Sequence, residues 1–114
     1  MSIAERLRDL QARIASACAR AHRDPASVEL LAVSKLQPVS AIRAAYDAGQ
    51  RAFGENYVQE WRDKSAELPP EIQWHLIGAL QTNKVKYVAR GPVALVHTID
   101  RLELIDELAK RCAG

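Results

Sequence analysis

Apolar residues recur near the start of the chain at the three- and four-residue steps of an amphipathic helix. The stripe consists of Ile3, Leu7, Leu10, Ile14 and Cys18. Ser2 is a candidate N-cap, and Glu5 stands three residues further on, as in a capping box. The pattern therefore predicts a helix over residues 2–22, which Asp24-Pro25 ends.

After this helix, short apolar runs alternate with segments of helical periodicity. The apolar runs predict four strands, at residues 28–34, 51–54, 72–77 and 93–98. The helices that follow them are predicted to begin at Pro38, Asn56, Thr82 and Asp100. Four strand-then-helix units with short connections favour a parallel α/β sheet with right-handed crossovers.

Residue types at helix ends and on helix faces refine this outline. Gly49 is a candidate C-terminal cap for the helix that begins with Pro38. Asn56 is predicted to cap the next helix, with Gln59 at the capping-box position. The last helix is predicted to face inward with Leu102, Ile105 and Leu108.

The loop after the first strand argues against two common nucleotide-binding folds. Residues 34–37, with the sequence SKLQ, contain no glycine, which weakens both a Rossmann and a P-loop interpretation. A β/α barrel is the better candidate, but eight strands need at least about 200 residues. The chain of 114 residues supplies four predicted strands, so it forms either an open α/β sheet or half a barrel.

Composition narrows the function classes. The chain is 48% hydrophobic and 26% charged, as in ordinary globular domains, and its net charge of +2 does not indicate a nucleic-acid binder. Cys18 and Cys112 form no CxxC motif, and two lone cysteines are typical of a reducing cytosol. No apolar run approaches the roughly 20 residues of a membrane span, and the N-terminus has no signal-peptide core. The composition thus predicts a cytoplasmic protein without membrane contact.

Polar side chains follow the predicted strands at their C-terminal ends, where parallel α/β folds bind ligands. Lys35 is either a solvated lysine after a strand or a partly buried nucleophile that forms a Schiff base with an aldehyde. Asn56 is either a helix cap or a ligand contact, and His75 is either a core histidine or a ligand contact. His75 and His97 could suggest a metal pair, but no spaced carboxylate or cysteine accompanies them, and no metal is predicted.

Four motifs in this order resemble the pyridoxal phosphate homeostasis protein family, the YggS/PROSC-like proteins. They are AVSK at residues 32–35, FGENYVQE at 53–60, WHLIGALQTNK at 74–84 and VHTIDR at 96–101. Several separate motifs at consistent spacing are far more specific than any one of them. The resemblance covers essentially the whole chain, but only the N-terminal half of a family member.

The resemblance implies an α/β fold that is the first half of a (β/α)8 TIM barrel, like the N-terminal domain of alanine racemase. An N-terminal helix would occupy residues 1–25, and four β/α units would occupy residues 28–114. Pyridoxal 5'-phosphate would sit at the C-terminal mouth as a Schiff base with Lys35, with Asn56 beside its ring and His75 near the pocket wall. The family has no established turnover, so no catalytic residue is predicted. It is thought to deliver the cofactor to pyridoxal phosphate-dependent apoenzymes and to keep free cofactor low.

The sequence departs from the family pattern in two places. Ala79 stands where the IGxLQ motif is expected to carry a bulkier or polar residue. The sequence stops at Gly114, and the family's phosphate cup and its arginine facing the pyridine nitrogen come from the C-terminal half. We therefore expect a fragment or truncated product, or two copies that pair their open faces. The alternative functions are a pyridoxal phosphate-dependent amino-acid racemase or decarboxylase, and a fragment that binds no cofactor.

Overall fold

A four-stranded parallel sheet, flanked by helices, organises the chain. The computed structural model describes residues 2–112, so residues 1, 113 and 114 of the predicted segments lie outside it. The strands are β1 (Ala32–Val33), β2 (Ala52–Glu55), β3 (Gln73–Leu76) and β4 (Val93–Val96), in the spatial order β1-β2-β3-β4. The helices are α1 (Ile3–Arg20), α2 (Val39–Asp47), α3 (Val58–Ser65), α4 (Val85–Arg90) and α5 (Leu102–Cys112), with 3₁₀ turns at Pro25–Ser27 and Thr82–Lys84. The predicted alternation of helices with four parallel strands is confirmed.

The two faces of the sheet differ sharply in burial. Phe53 and Trp74 are paired partners on neighbouring strands, and both are 1% exposed in the core between sheet and helices. One residue further along, the partners Val33, Gly54, His75 and Leu95 form a row on the other face. Val33 and Leu95 are about half exposed, at 53% and 52%. We call this row's side of the sheet the open face, because no helix of the described residues covers it.

Helix α1 begins as predicted, but most of its apolar stripe remains accessible. The Glu5 N–H donates to Ser2 Oγ at 3.1 Å, which confirms the N-cap, and the helix ends at Arg20 rather than at residue 22. Of the predicted stripe, only Cys18 is buried, while Ile3 and Leu10 are exposed. The helix packs mainly against α2, and this contact covers only part of the stripe.

Helix α2 confirms one predicted end and shifts the other. Pro38 is the N-cap residue in extended conformation, so α2 starts one residue later than predicted. Gly49 has a φ of +109°, and its N–H donates to the Tyr46 carbonyl at 2.9 Å. The Gln50 N–H donates to the Ala45 carbonyl at 3.0 Å, which completes a Schellman motif. The predicted glycine cap is therefore confirmed.

The predicted cap at Asn56 is wrong. Tyr57 is the N-cap of α3, no side chain caps this helix, and Gln59 donates to Asp63 instead of folding back. The physical reason is that the chain is still held to β3 at this point. The Ile77 N–H donates to the Glu55 carbonyl at 3.0 Å, so Asn56 continues the strand edge and the helix begins after it.

The predicted inner face of α5 is wrong in two of its three residues. Leu102 is 75% exposed and Ile105 is 47% exposed, whereas Leu108 packs against the core. Leu104, which was not predicted to be buried, is completely buried in one cluster with Val85 and Val88 of α4. The helix has two apolar stripes, and its packing on α4 selects the one through Leu104 and Leu108. Among residues 2–112, no helix is both long enough and apolar enough to span a membrane.

Candidate functional site

The C-terminal ends of the four strands lie on one edge because the sheet is parallel throughout. Lys35 follows β1, Asn56 follows β2, His75 lies within β3, and His97 follows β4. The fold thus brings the predicted residues Lys35, Asn56 and His75 to neighbouring strands at the same edge. The surroundings of these three side chains differ from one another.

Lys35 lies in a tight turn and is exposed. A nucleophilic Lys35 was expected to be partly buried, and within residues 2–112 it is not. The following residue, Leu36, adopts a φ of +62°, a left-handed conformation that is uncommon for a leucine. The turn is therefore not a relaxed strand end, and specific contacts hold it.

Those contacts come from a buried charged cluster behind the turn, which consists of Ser34, Glu55, Glu60 and Lys64. Lys64 Nζ lies 3.1 Å from Glu55 Oε1 and 2.9 Å from Glu60 Oε2, and it donates to the Ser34 carbonyl at 2.7 Å. The Ser34 hydroxyl donates to Glu55 Oε2, and the Leu36 N–H donates to Glu60 Oε2 at 2.6 Å. Glu55 is completely buried and Lys64 is 7% exposed. We call these four residues the clamp cluster.

The net pKa shifts of the two carboxyl groups of the clamp cluster have opposite directions. Burial raises the pKa of Glu55 above its ordinary value of 4.5, and the hydrogen bonds from Ser34 and Lys64 only partly oppose this. Burial also raises the pKa of Glu60, but hydrogen bonds from Lys64 and the Leu36 N–H outweigh it, so the net pKa is lowered. The cluster therefore holds one carboxyl that resists ionisation and one that favours it.

These opposite shifts predict how the cluster changes stability with pH. The folded state binds the Glu55 proton more tightly than the unfolded state, so this contribution is full below pH 4.5 and is lost as pH rises through the folded pKa. The contribution of Glu60 is full above pH 4.5 and is lost as pH falls through its lowered pKa. We expect Glu55→Gln to remove a decline in the free energy of unfolding above pH 4.5, and Glu60→Gln to remove a decline below it. Urea unfolding of both variants at a series of pH values checks this, and the same pH slope in wild type and both variants would contradict it.

Asn56 is partly buried, and its backbone lies directly against the loop after β3. A Cβ atom on Gly78 would stand 2.7 Å from the Asn56 carbonyl oxygen and 3.1 Å from its Cα. The distance to the carbonyl oxygen is shorter than Cβ atoms show in proteins, so any residue other than glycine would force the two backbone segments apart. The glycine of the WHLIG segment thereby fixes the position of Asn56 relative to β3.

His75 and His97 meet on the open face. His75 Nδ1 lies 2.8 Å from His97 Nε2, and the two rings are tilted by 44°. At this distance one nitrogen donates a hydrogen to the other, so the pair is joined directly. Within residues 2–112 no group of three or more metal-ligating side chains occurs. The histidine pair thus forms a polar wall beside Gly54 on the open face.

The remaining polar residues of this edge serve mainly to join loops. Arg101 donates to the Leu80 carbonyl at 2.7 Å and to Thr82 Oγ1 at 3.0 Å, and Thr98 donates to the Ile77 carbonyl at 3.3 Å. These bonds connect the segment after β4 to the loop after β3. They make this side of the edge a fixed frame.

The clamp cluster was not predicted from the sequence. Neither Glu55 nor Lys64 was predicted to have a role in the site. One available signal was the spacing of Glu60 and Lys64, which lie on one helix face. A second signal was a glutamate directly after the apolar residues of the predicted strand at residues 51–54.

Comparison with known proteins gives the chain close relatives. No family model matches the chain. It is 46% identical over 111 residues to the pyridoxal phosphate homeostasis protein of Pseudomonas aeruginosa, covering 96% of this chain and 48% of the relative. It is also 46% identical over 112 residues to the protein of the same name in Aquifex aeolicus, covering 97% of this chain and 49% of the relative.

Solved structures give the same result for the fold. PipY of Synechococcus elongatus without pyridoxal phosphate matches 98% of this chain and 48% of its own, with a TM-score of 0.83 and 42% identity. PipY with pyridoxal phosphate bound matches with a TM-score of 0.78 and 44% identity, over 96% of this chain and 47% of its own. The chain thus spans about half the length of the relatives it matches, and the prediction of half a TIM barrel is confirmed.

Proposed function

The chain is a homologue of the pyridoxal phosphate homeostasis proteins over about half of their length, and on this premise we propose that it binds pyridoxal 5'-phosphate through Lys35. The observation that carries the proposal is its match, at 44% identity, to a relative whose structure contains the bound cofactor. The residues that the family motifs mark lie on one edge of the sheet, as a shared site requires.

Lys35 is the residue whose chemistry fits the cofactor's aldehyde. An unprotonated lysine amine attacks an aldehyde carbon, and loss of water leaves a Schiff base. Strand alternation supports a position toward the open face, because Val33 lies on that face while Ser34 bonds to the buried Glu55. Lys35 is exposed, so its amine is accessible to the aldehyde of the cofactor.

Asn56 and His75 complete the proposed site. Asn56 would lie beside the cofactor ring, where its amide could donate or accept a hydrogen bond. His75 would form part of the wall, held in place by its hydrogen bond with His97. We assign no catalytic role to either residue, because the proposed function is holding the cofactor and not turning over a substrate.

We further propose the role that the relatives' name describes, cofactor homeostasis, in the cytoplasm. The partners would be apoenzymes that require pyridoxal phosphate, to which the bound cofactor is delivered. A second copy of the chain is another proposed partner. The half-exposed Val33 and Leu95 on the open face, together with the edge strands β1 and β4, support such pairing.

The proposal is tested by trapping the Schiff base and locating it. The chain has five lysines, at positions 35, 64, 84, 86 and 110. We expect that cofactor addition produces a visible absorption band, and that borohydride reduction fixes the label on Lys35 in preference to the other four. Peptide mapping by mass spectrometry measures the labelled fraction at each position.

A matched pair of variants controls for random surface labelling. Lys35→Arg is expected to abolish the absorption band, whereas Lys110→Arg, at another exposed lysine, is expected to leave it unchanged. If the label spreads evenly over the exposed lysines, or if Lys35→Arg retains the band, the assignment of Lys35 is wrong. If addition of pyridoxal phosphate to the wild-type chain produces no absorption band, the proposal that this chain binds the cofactor through a Schiff base is wrong.

A further inference from the structure

We propose that Lys64 is a positioning residue for Lys35, which it holds in a reactive turn through the clamp cluster. This inference rests on the proposed function, because positioning matters only if Lys35 receives the cofactor. Its structural half, that Lys64 holds the turn, can be tested without any cofactor.

A single amine connects both residues that flank Lys35. Lys64 Nζ donates to the carbonyl of Ser34, the residue before Lys35, at 2.7 Å. The same nitrogen lies 2.9 Å from Glu60 Oε2, the oxygen that accepts the N–H of Leu36, the residue after Lys35. The backbone on either side of Lys35 is thus tied to one buried cation.

The same amine also reaches the second strand of the site. Lys64 Nζ lies 3.1 Å from Glu55 Oε1 and 3.2 Å from Glu55 Oε2, and Glu55 directly precedes Asn56. The turn with Lys35 and the strand end with Asn56 therefore share one anchor. Such an anchor fixes the distance between the two proposed cofactor contacts.

The burial of charged groups in the clamp cluster argues that the cluster does more than stabilise the fold. Replacing a buried ion pair by apolar side chains of similar volume is often neutral or stabilising, so charge is not needed to fill this space. An apolar side chain in place of Lys64 could not donate a hydrogen bond to the Ser34 carbonyl. It also could not orient the Glu60 carboxylate, which accepts the Leu36 N–H. A left-handed Leu36 persists only where its surroundings hold it, and the acceptor on Glu60 provides such a contact.

The test uses Lys64→Met, which keeps most of the length of the unbranched side chain but removes the charge and its donors. Because this variant leaves Glu55 and Glu60 without the amine that contacts both, a second variant, Glu55→Gln with Lys64→Met, also removes the completely buried carboxyl group. The first measurement is hydrogen exchange of the Leu36 amide without cofactor. The second is the ratio of reductive labelling at Lys35 to labelling at Lys110 in the same molecule, which a general loss of stability would not change selectively.

We expect the Leu36 amide to exchange roughly ten- to a hundredfold faster in both variants, as loss of a charged hydrogen-bond network implies. We expect the labelling ratio to fall by about a factor of five or more, since a mobile turn presents Lys35 in the reactive geometry less often. The double variant should recover thermal stability relative to Lys64→Met without recovering either readout. If Lys64→Met does not fold, the double variant carries the test.

Two results would overturn the inference. One is unchanged exchange of the Leu36 amide in the double variant, and the other is a labelling ratio equal to that of the wild-type chain. Recovery of both readouts together with stability would show that the cluster is only structural. Failure of the wild-type chain to label Lys35 at all is a different outcome, which counts against the proposed function and leaves the exchange measurement to test the clamp.

Discussion

Gly91→Ala is expected to lower the free energy of unfolding by about 3 kcal/mol, a large effect for one methyl group. A Cβ atom at this position would stand 2.2 Å from Cη2 and 2.5 Å from Cζ2 of Trp61. Trp61 is 1% exposed and belongs to the hydrophobic core cluster. The added methyl group must therefore displace either the indole or the backbone after α4.

Two further measurements test whether the clash with Trp61 causes the loss of stability: the same substitution at another glycine, and Gly91→Ala in a variant that lacks the indole ring. Gly54→Ala is the control, because the atoms nearest to its Cβ would be side-chain carbons of Ile77 and Leu31, at 3.3 to 3.4 Å. We expect it to cost less than about 1 kcal/mol in urea unfolding. In a Trp61→Phe background, which lacks the clashing ring atoms, Gly91→Ala should lose most of its cost. Strictly additive effects of the two changes would contradict the proposed clash.

The topology of the chain was predictable because each element carries its own local signal. Short apolar runs bounded by turn residues marked the four strands, and the glycine at position 49 marked the end of α2. The bounds shifted mainly at strand ends. β1 contains only Ala32–Val33 instead of residues 28–34, because strand pairing depends on a neighbour as well as on residue type.

The inward face of α5 could not be predicted, because two apolar stripes compete within it. The stripe with Leu102 and Ile105 and the stripe with Leu104 and Leu108 both have helical spacing. The packing of α5 against α4 decides between them, and this tertiary contact leaves no trace in local periodicity. The cap at Asn56 failed for a similar reason, because a backbone hydrogen bond to β3 holds the strand edge one residue longer.

For the site, sequence reasoning identified the side chains that are proposed to contact the cofactor, but not the residues that hold those side chains in place. Lys35, Asn56 and His75 stand out because they follow or end strands and belong to recognisable motifs. Glu55 and Lys64 are nine positions apart, and their contact forms only when α3 lies across the sheet. Supporting residues of this kind are found from three-dimensional distances, which composition and periodicity do not contain.

Gly78→Ala is expected to weaken pyridoxal phosphate binding by about tenfold and to cost about 2 kcal/mol of unfolding free energy. The new Cβ would collide with the backbone of Asn56, at 2.7 Å from its carbonyl oxygen, and a backbone cannot move aside as a side-chain end can. The Asn56 amide would then shift away from the position proposed for it beside the cofactor ring. Titration of absorbance with cofactor measures the affinity, and urea unfolding measures the stability.

The combination with Asn56→Ala separates a local effect from a general one. If Gly78→Ala acts by displacing the Asn56 amide, the two substitutions remove the same contact, and their effects on affinity should not add. Their effects on stability have different origins, because the clash involves the Asn56 backbone, which Asn56→Ala retains. Gly78→Ala should therefore destabilise the Asn56→Ala chain as much as the wild type while weakening its cofactor binding little further. Fully additive losses of affinity would mean that Gly78 affects binding by a route other than Asn56.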